Sequence, residues 1–507
     1  MKMIVAALVS FTAVFVTVCL GVDARDRERS AARQGSAQQE DAKKIARLLT
    51  EAAAAAREIE DRGPSAYALL EIAGVQARAG NRAAARALID EALRVIPSVK
   101  RSHDLDREQL TAFAAAHQAQ LDDLEGALKT IEALGSGDEQ DAARMVIVDS
   151  LLAREQCEAA THVCSQIEDA DARDKGYAEI AASLARAAKL DDARSIVGKI
   201  ERESIRSTAI LVMVEARIAS QDFESAKALA DTIGEAADQL TALCEIAESQ
   251  LGEDGSAQAK QLLREAQQLA KKAGLRDAPE LLVLEAKLGD AKAAVAAADS
   301  LGDSDDRDSV IHEIVLWLAE KGRIDEAAGY VASIKNELLV AGMQQAIAVG
   351  QAAKGDIAGG LKAAGRIKAA AVRGEALQHI AIVQIEKGDG KAARSTLTRA
   401  AEAAGESDDA HAQIQLLSGI AAALVQAGDN EAAKRTFREA VAASEAHDDQ
   451  PYLRAALIGE IAKAQSHCGL SDDAAEWSRE LPAPELRESA LLGVAEGLLP
   501  EAETKDD

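Results

Sequence analysis

A repeat of 33 residues constrains the fold of this chain more than any other feature. Each unit is marked by an opening residue, small or turn-forming, that stands five positions before an alanine, as in Gly322–Ala327 and Gly428–Ala433. Openings recur every 33 residues from 122 to 254 and from 289 to 388, and the remaining steps are longer. A period of this length predicts an array of stacked supersecondary units. The twelve opening residues are Gly80, Asp122, Glu155, Ala188, Gln221, Asp254, Gly289, Gly322, Gly355, Gly388, Gly428 and Gly469.

Two helical faces keep phase with these openings. Isoleucine stands eight residues before the opening in nine units, often with an apolar residue three positions earlier. After the opening, the alanine at +5 is followed four residues later by a larger apolar residue. Spacings of three and four mark one face of a helix, so each unit is predicted as a first helix, a short turn and a second helix. The nine isoleucines are Ile72, Ile147, Ile180, Ile246, Ile314, Ile347, Ile380, Ile420 and Ile461.

Composition agrees with an all-helical chain. Aromatic residues make up only 2% of the sequence and all apolar residues 48%, so small and aliphatic side chains must form the core. The 34 Gly and 7 Pro are few for a chain with many tight turns, which argues against a β-sandwich or a propeller. The abundant Ala, Leu, Glu, Arg and Lys are strong helix formers. The predicted fold class is therefore all-α.

The units resemble tetratricopeptide repeats. Gly80, Ala85, Ile89, Ala92 and Pro97 stand at the family's turn glycine, turn alanine, larger apolar, small and closing proline positions. The resemblance covers roughly residues 64–480 and implies a right-handed α-solenoid of about twelve helix-turn-helix repeats. The chain departs from the family in a repeat one residue shorter, in alanine where the first helix usually has glycine, and in few aromatics.

The N-terminus has the marks of an export signal. Lys2 precedes an uncharged run from Met3 to Val22, and cleavage after Ala24 would place small residues at both recognition positions. The run is also long enough to remain as a membrane anchor, and Cys19 raises the alternative of a lipid anchor. Each alternative predicts an exported protein, periplasmic or secreted, whose membrane contact is limited to residues 1–24. Cys157, Cys164, Cys244 and Cys468 are interpreted as buried, unpaired side chains.

These features predict the domain organisation. Residues 1–24 form a signal peptide or membrane anchor, and residues 25–62 a charged linker followed by an N-terminal capping helix from Gln38 to Arg62. Residues 63–481 form the repeat array, 482–499 a C-terminal capping helix, and 500–507 an acidic tail.

Charge and motifs exclude several function classes. A net charge of −27 opposes binding to nucleic acid or to an anionic membrane surface. The sequence has no nucleophile elbow, phosphate-binding loop or metalloprotease motif. The segment Gly388–Lys391 falls on a repeat turn, His467 and Cys468 point apart on a helix, and Asp303 lacks the rest of a calcium loop. We therefore expect no catalytic residue, metal, cofactor or small-molecule substrate.

An arginine recurs fifteen residues before the opening residue. A cation in the first turn of a helix is opposed by the helix dipole, so its recurrence indicates a tertiary partner. The favoured interpretation is an inter-repeat ladder, in which each arginine pairs with carboxylates at a neighbouring turn, such as Asp191, Asp192, Asp325 or Glu326. The alternative is a basic stripe for an acidic ligand. The arginines are Arg173, Arg206, Arg307, Arg373 and Arg454, and Arg487 follows the last by 33 residues.

The family resemblance also implies a function. Tetratricopeptide arrays bind peptides on the concave face lined by their first helices, which predicts a non-enzymatic protein-interaction scaffold here. An envelope-assembly chaperone or a structural spacer is an alternative, and an α-solenoid or α-toroid enzyme is an alternative of another class. The groove positions implied by the resemblance are Leu70, Leu211, Glu215, His312, Leu316, Gln345, Gln378, Ile382 and Gln415.

Overall fold

The structure is a computed structural model that describes residues 31–99, 106–251, 256–275, 278–301, 304–334 and 336–500. Every regular element within these ranges is helical, so the predicted all-α fold class is confirmed. The predicted signal segment, the opening residue Asp254 and the tail beyond residue 500 lie outside the described residues. No helix in the described ranges is both long and apolar enough to cross a membrane.

The chain divides into two compact units. Unit 1 combines residues 1–107 with 344–507, and unit 2 comprises residues 108–343. The N-terminal helices are α1 (Ala31–Glu58), α2 (Arg62–Arg78) and α3 (Arg82–Val95). The helices that follow are α4 (Arg107–Gln120), α5 (Leu124–Ile131), α6 (Gly137–Leu152), α7 (Cys157–Cys164), α8 (Ala170–Arg186), α9 (Leu190–Val197), α10 (Glu203–Ala219), α11 (Phe223–Ala230), α12 (Ala236–Ser249), α13 (Ser256–Ala273), α14 (Pro279–Glu285), α15 (Ala291–Ala298), α16 (Ser304–Glu320) and α17 (Ile324–Val331). The C-terminal helices are α18 (Glu337–Ala353), α19 (Ile357–Ala364), α20 (Ala370–Glu386), α21 (Gly390–Gly405), α22 (Ala410–Gln426), α23 (Asn430–Ala443), α24 (Pro451–Gln465), α25 (Ser471–Glu480) and α26 (Pro484–Gly497).

Consecutive helices from α2 to α25 form helix pairs like those of tetratricopeptide repeats, one for each predicted unit. The opening residue is where each pair turns: all eleven described openings have a positive φ, from 57° at Glu155 to 125° at Gly289. The next residue donates its N–H back into the first helix, as Asp429 does to the Leu424 carbonyl at 2.9 Å, which closes a Schellman motif. An aspartate at this position also caps the second helix, since the Asp429 carboxylate accepts the N–H of Ala432.

The isoleucines that stand eight residues before the openings form the core of unit 1 and of unit 2. All nine are buried, and Ile72, Ile147, Ile180, Ile314, Ile380, Ile420 and Ile461 have no exposed surface at all. Alanines of the second helices, such as Ala327 and Ala433, are equally buried. The predicted apolar phase is therefore the packing interface, in which small alanines let neighbouring helices approach closely.

Second helices of two lengths explain the irregular period. In the units of 33 residues the second helix is short, as in α17 with 8 residues. Longer steps coincide with longer second helices, such as α13 with 18 residues and α21 with 16 residues. In the units that open at Gly388 and Gly428, the additional residues therefore extend the second helix and leave the turn unchanged.

The N-terminal helix differs from the prediction. Instead of running from Gln38 to Arg62, α1 spans Ala31–Glu58, and a new helix begins at Arg62. The break follows from a cap that we had not identified, because the Asp61 carboxylate accepts the N–H of Gly63 and starts α2. The predicted C-terminal helix is present as α26.

Candidate interaction surface on the first helices

The predicted groove positions fall into two groups by exposure. Leu70 and Gln378 are buried, at 0% and 6% exposure, so these two offer no surface to a partner, because neighbouring repeats cover them. Glu215 and Leu316 are exposed, and the other five are half-buried. Within unit 1, Gln345 donates to the Glu375 carboxylate at 3.3 Å, and Gln415 contacts His411 at 2.9 Å. Ligand binding by these positions remains a prediction.

A row of glutamates accompanies these positions, and sequence analysis overlooked it. Glutamate stands nine residues before the opening, directly before the core isoleucine, in five units. The residues six and ten positions before the opening lie next to this glutamate on the surface of the first helix. We call the surface formed by these three positions the first-helix face. The signal in the sequence was a Glu-Ile pair that recurs in phase with the openings. The five are Glu71, Glu179, Glu245, Glu313 and Glu460.

In unit 2 these glutamates meet carboxylates of the adjacent repeat. Desolvation raises the pKa of Glu179 to about 7, and a hydrogen bond with Asp149 and the charge of Asp149 add to the rise. Desolvation, then the charges of Glu215 and Glu248, raises the pKa of Glu245 to about 7. The Glu245 Oε2 atom has no hydrogen-bond donor among the described residues. Carboxylates that face each other in this way resist ionisation, because two negative charges are brought together where their hydration is reduced.

Histidines on the same face do not offset this charge. Desolvation lowers the pKa of His312, and it lowers the pKa of His379 against the opposing effect of Glu375. Both imidazoles are therefore neutral at neutral pH. The first-helix face is thus acidic in unit 2, and it includes the exposed apolar side chain of Leu316.

The recurring arginines lie at the linkers between repeats. Each of the six has a carboxylate within 4.0 Å, but none of these carboxylates is one of the four turn residues expected from the sequence. Arg206, for example, pairs with Glu203 at 2.6 Å, and Arg307 with Asp299 at 2.8 Å. Asp191 and Glu326 pair instead with arginines of their own helices. These carboxylates lie in or near the linkers because each arginine stands in the first turn of a first helix, which directly follows a linker.

Backbone carbonyls explain the phase of the arginines better than carboxylates do. Arg173 donates to the Ile167 carbonyl at 3.1 Å, and Arg206 to the Ile200 carbonyl at 2.6 Å. Arg373 and Arg487 make the same bond to the carbonyl six residues earlier. These four guanidinium groups therefore satisfy carbonyls left open where the preceding second helix ends, whereas Arg307 donates to the Ser333 carbonyl and Arg454 to the Ser444 hydroxyl and Asp448.

The position directly after the arginine can hold a buried aspartate. Its carboxylate binds the backbone amides of the linker that follows its own repeat. Asp174, 2% exposed, accepts the backbone N–H groups of Glu201 and Arg202 at 3.1 and 2.8 Å. Asp141 binds the amides of the preceding linker in the same way, at 2.9 Å each. Each of these two linkers is thus held through its carbonyls by an arginine and through its amides by an aspartate.

The remaining chemistry-bearing side chains do not converge. Cys157, Cys164 and Cys244 form no disulfide, and desolvation raises the pKa of both Cys164 and Cys244 to about 12, which keeps them as thiols. A cleft of about 400 Å³ in unit 2 is lined mainly by apolar residues, and Glu280 is the carboxylate among its described lining residues. No group of three metal-ligating side chains occurs in the part of the chain that the structure describes.

Comparisons with known proteins add little. No family model matches the chain, and no curated protein does. Similar solved structures include Ton1535 from Thermococcus onnurineus NA1, which is 16% identical over 61% of this chain and 98% of its own, with a TM-score of 0.18. The APC/C hetero-tetramer Cut9–Hcn1 is 14% identical over 96% of this chain and 98% of its own, with a TM-score of 0.21. A circular tandem repeat protein with novel repeat topology is 14% identical over 91% of this chain and 96% of its own, with a TM-score of 0.14. The fold assignment rests on the helix pairs of the chain itself.

Proposed function

We propose that this chain is a non-enzymatic scaffold that binds a protein or peptide partner along the first-helix face. The observation that carries the proposal is the row of carboxylates on this face in unit 2, which includes Glu179, Glu215 and Glu245. None of these three forms an ion pair with a lysine or arginine among the described residues, and Leu316 adds exposed apolar surface to the first-helix face of the same unit. A segment rich in Lys and Arg with at least one apolar side chain complements such a surface, because opposite charges guide association and apolar contacts add affinity.

A paired substitution tests this proposal. Glu215→Arg combined with Leu316→Arg changes two exposed residues of the first-helix face. The control is Glu224→Arg combined with Asp325→Arg, two exposed residues on second helices of the same unit. Partners captured at physiological salt by the wild-type chain should be lost with the first variant and kept with the control. Equal capture by both variants, or loss by both, would contradict binding on this face.

Export is a separate part of the proposal and rests on residues 1–24. Fusion of residues 1–30 to a reporter that is active only outside the cytoplasm should give activity, and the mature chain should begin at Arg25 if the signal is cleaved. Replacing the uncharged run with a charged one should abolish reporter activity. A reporter that stays inactive with the native segment would refute export.

A further inference from the structure

The two ends of the described chain pack against each other within unit 1. α1 and α2 lie on α26, and we call this contact the end-to-end junction. Leu48 and Leu49 of α1 are at most 1% exposed there. Arg78 of α2 forms an ion pair with Glu496 of α26 across this contact, and Arg479 of the preceding helix α25 binds Glu51 of α1 at 2.7 Å. Residues more than 400 positions apart in sequence are therefore neighbours.

α1 takes the place of a second helix for α26. Among the described helices, the twelve pairs leave two over, α1 and α26. Arg373 binds the carbonyl of the linker before its helix and the carboxylate of Glu406 after the paired second helix. Arg487 makes the same two bonds, to Leu481 before α26 and to Glu58 at the end of α1. The chain ends thus form one further repeat from two separate pieces.

The carboxylate next to Arg487 lacks the partners that its counterparts have. Glu488 occupies the phase of Asp141 and Asp174, which each accept two backbone amides. Glu488 is 5% exposed, its Oε1 atom finds no donor among the described residues, and its Oε2 atom accepts only from the Ser489 hydroxyl at 3.2 Å. An ionised carboxylate in this position is poorly stabilised.

The groups around Glu488 add to this difficulty. Desolvation raises the pKa of Glu488 to about 8, and the charges of Glu71 and Glu496 contribute to the rise. Glu71 and Glu460 bring further carboxyls to the junction. The pKa of each is also raised, and desolvation is the largest cause. Both nearby cations, Arg78 and Lys463, are paired with Glu496. The titratable groups of the packed elements whose side chains the structure describes are Glu40, Asp41, Lys43, Lys44, Arg47, Glu51, Arg57 and Glu58 on α1, Arg62, Tyr67, Glu71 and Arg78 on α2, Tyr452, Arg454, Glu460 and Lys463 on α24, His467 and Cys468 after α24, Asp472, Asp473, Glu476, Arg479 and Glu480 on α25, and Glu485, Arg487 and Glu496 on α26.

We propose that the end-to-end junction is a pH-sensitive clasp, closed while Glu488 is protonated and released when Glu488 ionises. In the closed state Glu488 keeps its proton up to about pH 8, whereas in the released state it titrates near its ordinary value of 4.5. The closing equilibrium is therefore unaffected below about pH 4.5 and weakens by up to tenfold per pH unit from there to about pH 8. Release is local, because each element of a repeat array contacts only its neighbours.

Hydrogen exchange of the full-length chain, followed by mass spectrometry from pH 5.5 to 8.5, tests the clasp. After correction for intrinsic exchange rates, protection of α1 and α26 should fall by up to tenfold per pH unit up to about pH 8. Protection of α22, in the same unit but away from the junction, should not follow this fall. A parallel fall in α22 would indicate unfolding of the whole unit and would overturn the proposal.

Glu488→Gln keeps the shape of the side chain and removes its proton equilibrium. This variant should lose most of the pH dependence of α1 and α26 protection and should resemble the protonated wild type at pH 8. The same fall in this variant as in wild type would also refute the proposal. Should Glu488→Gln not fold, Glu71→Gln gives a second test: removal of a facing charge should end the fall at a lower pH than in wild type.

Discussion

At the residue scale, the turn between paired helices requires a left-handed backbone at one position. Seven of the eleven described openings are glycines, for which this conformation carries no steric cost, and four are Asp122, Glu155, Ala188 and Gln221 with φ near +60°. A side chain there costs about 1–2 kcal/mol relative to a right-handed conformation. The repeat therefore retains its turn geometry in these four units at the expense of some stability.

Substitutions of the opening residue should separate these two classes. Ala188→Gly and Gln221→Gly should each raise the free energy of unfolding by about 0.5–1 kcal/mol, because relief of strain exceeds the added entropy of the unfolded chain. Gly428→Ala should lower it by about 1 kcal/mol, although a Cβ there meets no atom within 4 Å. Urea unfolding of the three variants measures both signs. A gain in stability for Gly428→Ala would contradict the backbone argument.

The isoleucine phase gives a second prediction at this scale. Ile314→Ala and Ile380→Ala should each lower the free energy of unfolding by about 2–5 kcal/mol, because both side chains are fully buried and the change leaves a cavity. Leu338→Ala is the matched control, since Leu338 is 74% exposed and its loss should cost less than about 0.5 kcal/mol. Denaturant unfolding curves that shift equally for all three variants would show that the isoleucines are not core residues.

At the element scale, the linkers between repeats are fixed by charged side chains acting on the backbone. An arginine holds the linker carbonyls, and in unit 2 Asp141 and Asp174 hold the amides. A charged partner makes such a hydrogen bond stronger than a neutral one. The direction in which one helix pair enters the next is therefore set by these contacts as well as by apolar packing.

The buried aspartate at a linker should contribute more to stability than the partly exposed arginine. Asp174→Ala should lower the free energy of unfolding by about 1.5–3 kcal/mol, since it leaves two amides without a partner. Arg206→Ala should cost about 1 kcal/mol or less, because its ion pair with Glu203 is exposed to water. Raising the salt concentration should reduce only the Arg206 effect. A larger loss for Arg206→Ala, or a loss for Asp174→Ala that salt abolishes, would contradict this ranking.

At the scale of the whole molecule, some acidic side chains of the folded chain are partly protonated near neutral pH. Glu245 in unit 2 has a folded-state pKa of about 7 against an ordinary value of 4.5. A carboxyl whose pKa is raised by folding leaves stability intact below about pH 4.5 and reduces it as the pH rises towards the folded-state value. Such groups make the chain more stable in mildly acidic than in alkaline solution.

Glu245→Gln tests this reasoning. The variant should be more stable than wild type at pH 8 by the order of 1 kcal/mol, a modest value because the half-exposed carboxylate is screened by water. At pH 4 the two proteins should have similar free energies of unfolding, since Glu245 is then protonated in both states. Thermal unfolding at the two pH values measures the difference. A gain of equal size at pH 4 would assign the effect to packing instead of ionisation.

The sequence by itself determined the helix pairs, their turns and their core. These features depend on residues within one unit: Gly428 and Asp429 form a turn, and Ile420 lies two helical turns before it on the buried face. Local spacing is sufficient to predict such contacts, because backbone sterics and helical periodicity act over a few residues. The local errors were the two ends of α1: the helix begins at Ala31 instead of Gln38, and its end at Glu58 follows from the cap at Asp61.

Only the tertiary structure decided the contacts between units of the repeat and between the chain ends. Sequence phase predicted a carboxylate near each arginine, and each has one within 4.0 Å, but the backbone carbonyls that four of them also bind have no signature in the sequence. The burial of Leu70 and Gln378 depends on the neighbouring repeat. The pairing of Glu58 with Arg487, 429 residues apart, depends on where the chain ends meet. These outcomes follow from the geometry accumulated over many repeats, which the periodicity of a single unit does not specify.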